Sequence, residues 1–140
     1  MDYRYIAIEG NIGSGKTTLS KMLADRYKAD LVLEEFESND FLPKFYANPS
    51  RYAFPLELSF LAERYHQLSA MGVGGNLFQS LTISDYLLSK SLIFAATNLG
   101  EDEMALFRRI YDIMFNSVPV PDLLVYLYAP IEKLMQNIRK

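Results

Sequence analysis

An α/β fold, with a parallel sheet at its centre and helices on both faces, is what these 140 residues predict. Three observations carry that expectation. Short apolar runs rich in β-formers alternate with longer segments whose apolar residues recur every three or four positions. Breaks rich in glycine, proline or asparagine separate many of these runs. The first run passes directly through a glycine-rich loop into the first helical segment. Parallel strands need crossover connections, and the intervening helices supply them.

The elements follow in order. Tyr5 to Glu9 (YIAIE) is short and apolar, ends at Gly10, and reads as a buried strand. Thr17 to Tyr27 places Leu19, Met22, Leu23 and Tyr27 at helical spacing. Leu31 to Glu34 is a second strand, and Phe41 to Tyr46 a short helix that stops before Asn48-Pro49. Phe54 to Ala70 carries the longest helical stripe (Phe54, Leu58, Leu61, Tyr65, Leu68), with Pro55 suited to its first turn. Met71 to Asn76 is a surface loop. Leu77 to Ile83 is the third strand, followed by Ser84-Asp85. Leu87 to Asn98 and Glu101 to Asn116 are helices separated at Gly100. Leu123 to Tyr128 is the fourth strand, and Pro130 opens a last helix that runs to Lys140. There is no internal repeat and no low-complexity segment.

Composition narrows the function classes. Half of the residues are hydrophobic and 22% are charged, with a net charge of −3 and the two signs interspersed. No basic patch of the kind that duplex nucleic acid needs is present, so nucleic acid is not an expected partner. A local site can still be positive on an acidic protein. The absence of cysteine excludes disulfides and thiolate chemistry, and it fits a reducing compartment. No run reaches the ~18 apolar residues of a membrane span. A cytoplasmic protein with no membrane association is expected.

The glycine-rich loop carries the chemistry. Gly10-Asn11-Ile12-Gly13-Ser14-Gly15-Lys16-Thr17 fits G-x-x-x-x-G-K-[ST], and it lies between a strand and a helix. Glycines let the backbone curl with its N–H groups inward, and the following helix adds the positive end of its dipole. Phosphate should therefore lie on residues 10 to 18, with Thr18 closing the set. Lys16 can reach the β- and γ-phosphates of a nucleotide, and the Thr17 hydroxyl can hold Mg²⁺, which takes few protein ligands. The motif by itself is shared by ATPases, GTPases and kinases.

Later stretches are more specific. IAIEGNIGSGKTTL, Leu33-Glu34-Glu35-Phe36, Phe41-Leu42-Pro43-Lys44-Phe45-Tyr46, Arg51-Tyr52-Ala53-Phe54, Ser91-Leu92-Ile93-Phe94-Ala95 with Asn98-Leu99, and Pro121 to Leu127 together resemble the deoxynucleoside kinase family nearly end to end. The resemblance is closest to bacterial members, some of them fused to a pterin pyrophosphokinase. It implies a P-loop NTP-binding, three-layer fold and phosphoryl transfer from ATP to the 5′-hydroxyl of a deoxynucleoside, a salvage reaction. By position it also implies that Glu34 takes the hydroxyl proton, that Tyr46 contacts the sugar, and that Arg64 lies near the reacting end. The acceptor should lie between Glu34, Tyr46, Glu57 and Arg64. Glu57 and Arg64 are seven residues apart and share a helix face. Family members are commonly homodimers, and a homodimer or a pterin pyrophosphokinase partner is implied in the same way. His66, the only histidine, reads as a surface residue.

Three departures from the family pattern stand out. Glutamine is usual at the position of Glu57, where its amide pairs with the nucleobase; a carboxylate only accepts hydrogen bonds and favours a base edge with two donors, such as guanine. The family's acidic residue followed by arginine after the third strand is here Ser84-Asp85-Tyr86. Asp85 can still serve Mg²⁺ and the substrate. Tyr86 cannot replace an arginine, and Lys90 is the nearest compensating cation. Only Arg139 and Lys140 reach toward the family's arginine-rich lid, so a single domain over 1–140, without lid and last strand, is expected. Two other readings stay open: a nucleotide-binding module with weak or lost catalysis, and another small-molecule or nucleotide kinase on the same core.

Overall fold

The computed structural model describes residues 3–34, 39–70 and 81–139. These fall into two compact units, one comprising residues 3–34, 81–87 and 120–139, the other residues 39–70 and 88–119. The expected loop at Met71 to Asn76 lies outside the described residues.

The first unit is a parallel sheet with two helices. Its strands are β1 (Tyr5–Gly10), β2 (Asp30–Val32), β3 (Thr82–Ser84) and β4 (Leu123–Leu127), in the spatial order β2-β3-β1-β4. Helix α1 spans Lys16–Tyr27, and a C-terminal helix spans Ile131–Ile138. Ile6, Ile8 and Ile83 join Leu81 and Ala24 in a buried core, with Leu19, Leu23, Leu123, Val125 and Leu127 packed against it. This is the α/β fold with a parallel sheet that the alternating pattern predicts.

The sheet order positions the site. The chain leaves β1 toward β2 on one side and leaves β3 toward β4 on the other, so a crevice opens at the C-terminal ends of β1 and β3. Pairing between these two strands ends at Ala7 and Ser84, whereas β1 stays paired with β4 as far as Gly10 and Leu127. The last residues of β1 and those after β3 therefore line the crevice. Asp122 fastens the opposite end: its Oδ2 accepts hydrogen bonds from the Arg4 and Tyr5 amides at 2.7 and 2.9 Å.

Two strands have bounds that differ from their apolar runs among the described residues. The second ends at Val32 rather than Glu34, because its partner β3 pairs only as far as Ser84, opposite Val32. The third was expected over Leu77 to Ile83; among the described residues it spans Thr82 to Ser84, and residues 77–80 lie outside them. It takes in Ser84, which the sequence placed after the strand.

The second unit is helical: α2 (Phe41–Ala47), α3 (Pro49–Ser69), α4 (Lys90–Asn98) and α5 (Glu101–Phe115). The C-terminal helix of the first unit is α6 in chain order. Helix α3 begins five residues before the expected Phe54. Pro49 occupies its first turn, so Pro55 lies inside the helix rather than opening it. Proline at the start costs no hydrogen bond, whereas Pro55 removes one from the interior. Helix α4 starts at Lys90, not Leu87; the Ser91 and Leu92 amides donate to the Leu88 and Ser89 carbonyls three residues back, so a tighter turn precedes the helix. Ala53, Leu56, Leu61 and Leu68 form the buried stripe of α3, together with the charged Glu57 and Arg64.

Candidate nucleotide and acceptor sites

The loop after β1 has the conformation its glycines allow. Gly13 and Gly15 have φ of 82° and 91°, a region that side chains with a Cβ avoid. Gly15 is the N-cap of α1 and no side chain caps the helix, so the amides of its first turn face outward from the helix end. A Cβ on Gly10 would lie 2.5 Å from Ser14 Oγ and 2.8 Å from the Leu127 carbonyl oxygen. The Ser14 amide donates to the Asn11 carbonyl at 3.0 Å, which closes the turn. Ile12 is 73% exposed at its tip.

Helix α6 also supports the loop, which the sequence did not reveal. Asn137 donates to the Gly13 carbonyl at 2.7 Å, and a Cβ on Gly13 would meet the Leu134 carbonyl at 2.9 Å. Nothing in local sequence links residues 124 positions apart.

The functional side chains of the first unit come together around this loop. Lys16 donates to the Gly10 carbonyl at 3.1 Å and lies 4.0 Å from Glu9 Oε1. The Thr17 hydroxyl donates to Asp85 Oδ2 at 2.7 Å, and Asp85 Oδ1 accepts from the Glu34 amide at 2.8 Å. One buried carboxylate thus joins the loop helix to the residue expected to act as base. Glu35 lies outside the described residues.

These residues suit ATP and Mg²⁺. Among the described residues, Ser14 Oγ is buried without a hydrogen-bond partner, and a Cβ on Gly15 would meet nothing within 4 Å. Both features suit an anion that brings its own acceptors. Thr17 and Asp85 offer one hydroxyl and one carboxylate oxygen side by side, the small donor set that Mg²⁺ takes from protein. Among the described residues there is no group of three or more metal-ligating side chains. A two-ligand site completed by phosphate and water does not require one.

Tyr86, where the family pattern has arginine, is fully buried. It is a packing residue, and it sits beside a hydrogen-bonded chain: the Tyr5 hydroxyl meets Ser84 Oγ at 2.9 Å, and Ser84 Oγ donates to the Tyr86 carbonyl at 2.8 Å. Glu9 is the residue the sequence reading passed over. It is the one charged position in the strand run YIAIE, and that exception to an apolar pattern was the available signal.

In the second unit, α3 brings Glu57 and Arg64 together on its buried face. Each is 3% exposed, so they are not the surface ion pair that spacing alone would allow. Glu57 Oε1 accepts from Asn98 Nδ2 at 2.9 Å, while Oε2 is buried without a hydrogen-bond partner among the described residues. Burial pushes the Glu57 carboxyl above its ordinary value of 4.5; the Asn98 hydrogen bond and the Arg64 charge oppose that shift. Arg64 donates to Ser91 Oγ at 2.9 Å, and its guanidinium lies 5.5 Å from the centre of the Phe60 ring. Tyr46 is 73% exposed on α2. Lys90 places its ammonium 5.8 Å from the Phe94 ring centre. His66 is exposed, as expected. Glu34 belongs to the first unit, and Tyr46, Glu57 and Arg64 belong to the second.

Comparison with known proteins supports the same assignment. The family model described as deoxynucleoside kinase matches residues 6–140. The deoxyguanosine kinase of Bacillus subtilis is 35% identical over 136 residues, covering 97% of this chain and 66% of its own length. The deoxyadenosine/deoxycytidine kinase of the same organism is 32% identical over 143 residues, covering 96% and 64%. The chain thus spans just under two thirds of the length of these relatives. The solved structure of deoxyadenosine kinase from M. mycoides with bound dATP superposes with a TM-score of 0.75 at 22% identity, covering 96% of this chain and 70% of that one. At that identity the likeness is one of fold. The match over almost every residue and the loop geometry lead to one assignment: the chain belongs to the deoxynucleoside kinase family.

Proposed function

We propose that the protein transfers the γ-phosphoryl group of ATP to the 5′-hydroxyl of a deoxynucleoside, as a nucleoside-salvage kinase. The observation that carries this reading is the arrangement around Asp85: one carboxylate holds the Thr17 hydroxyl and the Glu34 amide. In phosphoryl transfer the protein chiefly positions groups and stabilises charge. The loop amides and Lys16 hold the donor's phosphates. Thr17 and Asp85 would hold Mg²⁺, which when bound would supply positive charge against the phosphates. Glu34 accepts the proton of the attacking hydroxyl. The chain's own part is to bind, orient and take that proton.

For the acceptor, Tyr46 contacts the sugar, Arg64 lies near the reacting end, and Glu57 reads the base. Glu57 Oε1 is taken by Asn98, and Oε2 has no hydrogen-bond partner among the described residues. A carboxylate oxygen so placed suits a ligand with N–H donors, and the N1–H and exocyclic amine of guanine present two. Deoxyguanosine is therefore the acceptor this reading favours. The relative at 35% identity carries the name deoxyguanosine kinase. The same reading places the protein in the cytoplasm as a homodimer, with fusion to or association with a pterin pyrophosphokinase as a further arrangement known among family members.

The buried Tyr86 favours one second reading, a nucleotide-binding module with weak catalysis, because no phosphate-stabilising arginine stands at that position. One assay separates the two: transfer from labelled ATP to a panel of deoxynucleosides and their monophosphates. Phosphorylation of deoxyguanosine that depends on Lys16 supports the kinase. ATP binding that needs Lys16, with no nucleoside phosphorylated, supports the module. A monophosphate as the better acceptor makes the protein a nucleotide kinase.

A further inference from the structure

The crevice at the ends of β1 and β3 is bridged by a side chain that the proposed reaction does not use. Beyond Ala7 and Ser84 these two strands exchange no ladder hydrogen bonds. Two residues further along β1, the Glu9 carboxylate crosses the gap. Its Oε2 accepts from the Leu87 amide at 3.2 Å, and its Oε1 lies 3.3 Å from the Gly10 amide and 4.0 Å from Lys16 Nζ. Both side chains of the Glu9–Lys16 pair are largely buried, at 14% and 17% exposure. A charge placed so deep in a strand is costly unless bonded, and here both of its oxygens are engaged.

What the bridge holds is informative. Leu87 lies two residues after Asp85, and Asp85 carries the hydrogen bonds to Thr17 and to the Glu34 amide. The Asp85 amide still donates to the Val32 carbonyl of β2 at 3.2 Å, and from there to Leu87 the chain is irregular backbone with no strand pairing to β1. On the side of β1 and the loop helix, side-chain bonds hold it at two points: Asp85 to Thr17, and Leu87 to Glu9. Binding Mg²⁺ between Thr17 and Asp85 would exchange the first bond for metal coordination. The second remains, and it keeps the Asp85 backbone in register with the loop. Carboxylates that hold a metal ligand's backbone or ring in place commonly change metal affinity ten- to a hundredfold when removed.

We propose that Glu9 is a positioning residue for the Mg²⁺ of the donor nucleotide: through the Leu87 amide it holds Asp85 against Thr17 across the β1–β3 crevice. This rests on the nucleotide-binding reading above and assigns a function to a residue outside the loop motif. The bond to Leu87, rather than the charge beside Lys16, is the part that acts.

Three variants of the full chain separate these parts. Glu9→Ala removes the bridge. Glu9→Asp keeps the charge but withdraws its oxygens from Leu87 by the length of one methylene. Glu9→Gln loses the charge and keeps an acceptor for the Leu87 amide. ATP binding is measured by calorimetry across a Mg²⁺ series and in EDTA, with circular dichroism to report folding. The half-saturating Mg²⁺ concentration should rise about 10- to 100-fold in Glu9→Ala. It should rise several-fold in Glu9→Asp and stay within about threefold of wild type in Glu9→Gln, while affinity in EDTA changes little in all three. Should Glu9→Ala not fold, Glu9→Asp carries the same test. An unchanged Mg²⁺ requirement in Glu9→Asp and Glu9→Ala overturns the proposal, and so does a Glu9→Gln shift as large as that of alanine. A wild-type chain that binds no ATP at any Mg²⁺ concentration instead overturns the nucleotide-binding reading itself.

Discussion

The two units treat their buried charges in opposite ways. In the first, Glu9, Lys16 and Asp85 are bonded to one another's neighbourhoods through backbone amides, a carbonyl and the Thr17 hydroxyl. In the second, Glu57 is as buried as Asp85, yet one of its oxygens has no hydrogen-bond partner among the described residues. An unmet buried acceptor costs roughly 1–3 kcal/mol in stability. The difference teaches where specificity is stored. On the proposed reading, the charged groups of the donor site are preorganised by the protein's own partners, whereas the acceptor site keeps a charged oxygen for the right ligand to meet.

The sharpest way to break this contrast is at Lys16. Lys16→Ala should lower turnover about 10³-fold and weaken ATP binding, read by steady-state kinetics and calorimetry. Retained ATP affinity would remove the ammonium from the donor site. Glu34→Gln comes next, with turnover falling about 10²- to 10³-fold while ATP affinity stays at the wild-type value. An equal fall in ATP affinity would assign Glu34 to the donor side instead.

Stability effects are smaller. Gly13→Ala combines a φ of 82° with a Cβ 2.9 Å from the Leu134 carbonyl, and should cost about 1–3 kcal/mol in a denaturant titration. That loss would tie α6 to the loop energetically. Glu57→Gln should change the ratio of kcat/KM between deoxyguanosine and deoxyadenosine about tenfold toward deoxyadenosine, because the amide offers a donor where the carboxylate offers none. An unchanged ratio would remove Glu57 from base recognition.

Glu57 also makes a pH prediction. Its carboxyl is raised above 4.5 by burial, so the folded state binds this proton more tightly than the unfolded chain. The stability it contributes is complete below 4.5 and is lost as pH rises through the folded-state value. Wild type should gain stability relative to Glu57→Gln as pH falls toward that range, measured by urea denaturation across pH. Asp122 has the opposite sign and the smallest effect. The Arg4 and Tyr5 amides hold its carboxyl below 3.8, so its contribution is present above 3.8 and lost as pH falls through the lower folded-state value. Asp122→Asn should flatten the acid limb of the stability curve and leave turnover unchanged.

Local pattern accounted for much of the molecule because its causes are local. Four apolar runs became four parallel strands, and the loop motif adopted positive φ at Gly13 and Gly15, since only nearby residues and the following helix set that curl. Strand ends were less legible. Leu33 continues the apolar run of Leu31 and Val32, but a strand ends where its neighbour stops pairing, and β3 stops at Ser84. The start of α3 is expected at Phe54 and lies at Pro49, because either Pro49 or Pro55 satisfies the local first-turn rule.

Residue order alone therefore determined the α/β class, the phosphate-binding loop and the helix face shared by Glu57 and Arg64, all of which follow from periodicity and short-range sterics. Tertiary structure decided the rest: that Asp85 would hold both Thr17 and Glu34, that Glu9 would cross to Leu87, that Asn137 would brace Gly13, and that Glu57 would be buried with one oxygen unmet among the described residues. Each of these depends on which segments the sheet order and helix packing bring within about 3 Å, the reach of a hydrogen bond, and no spacing along the chain encodes that proximity.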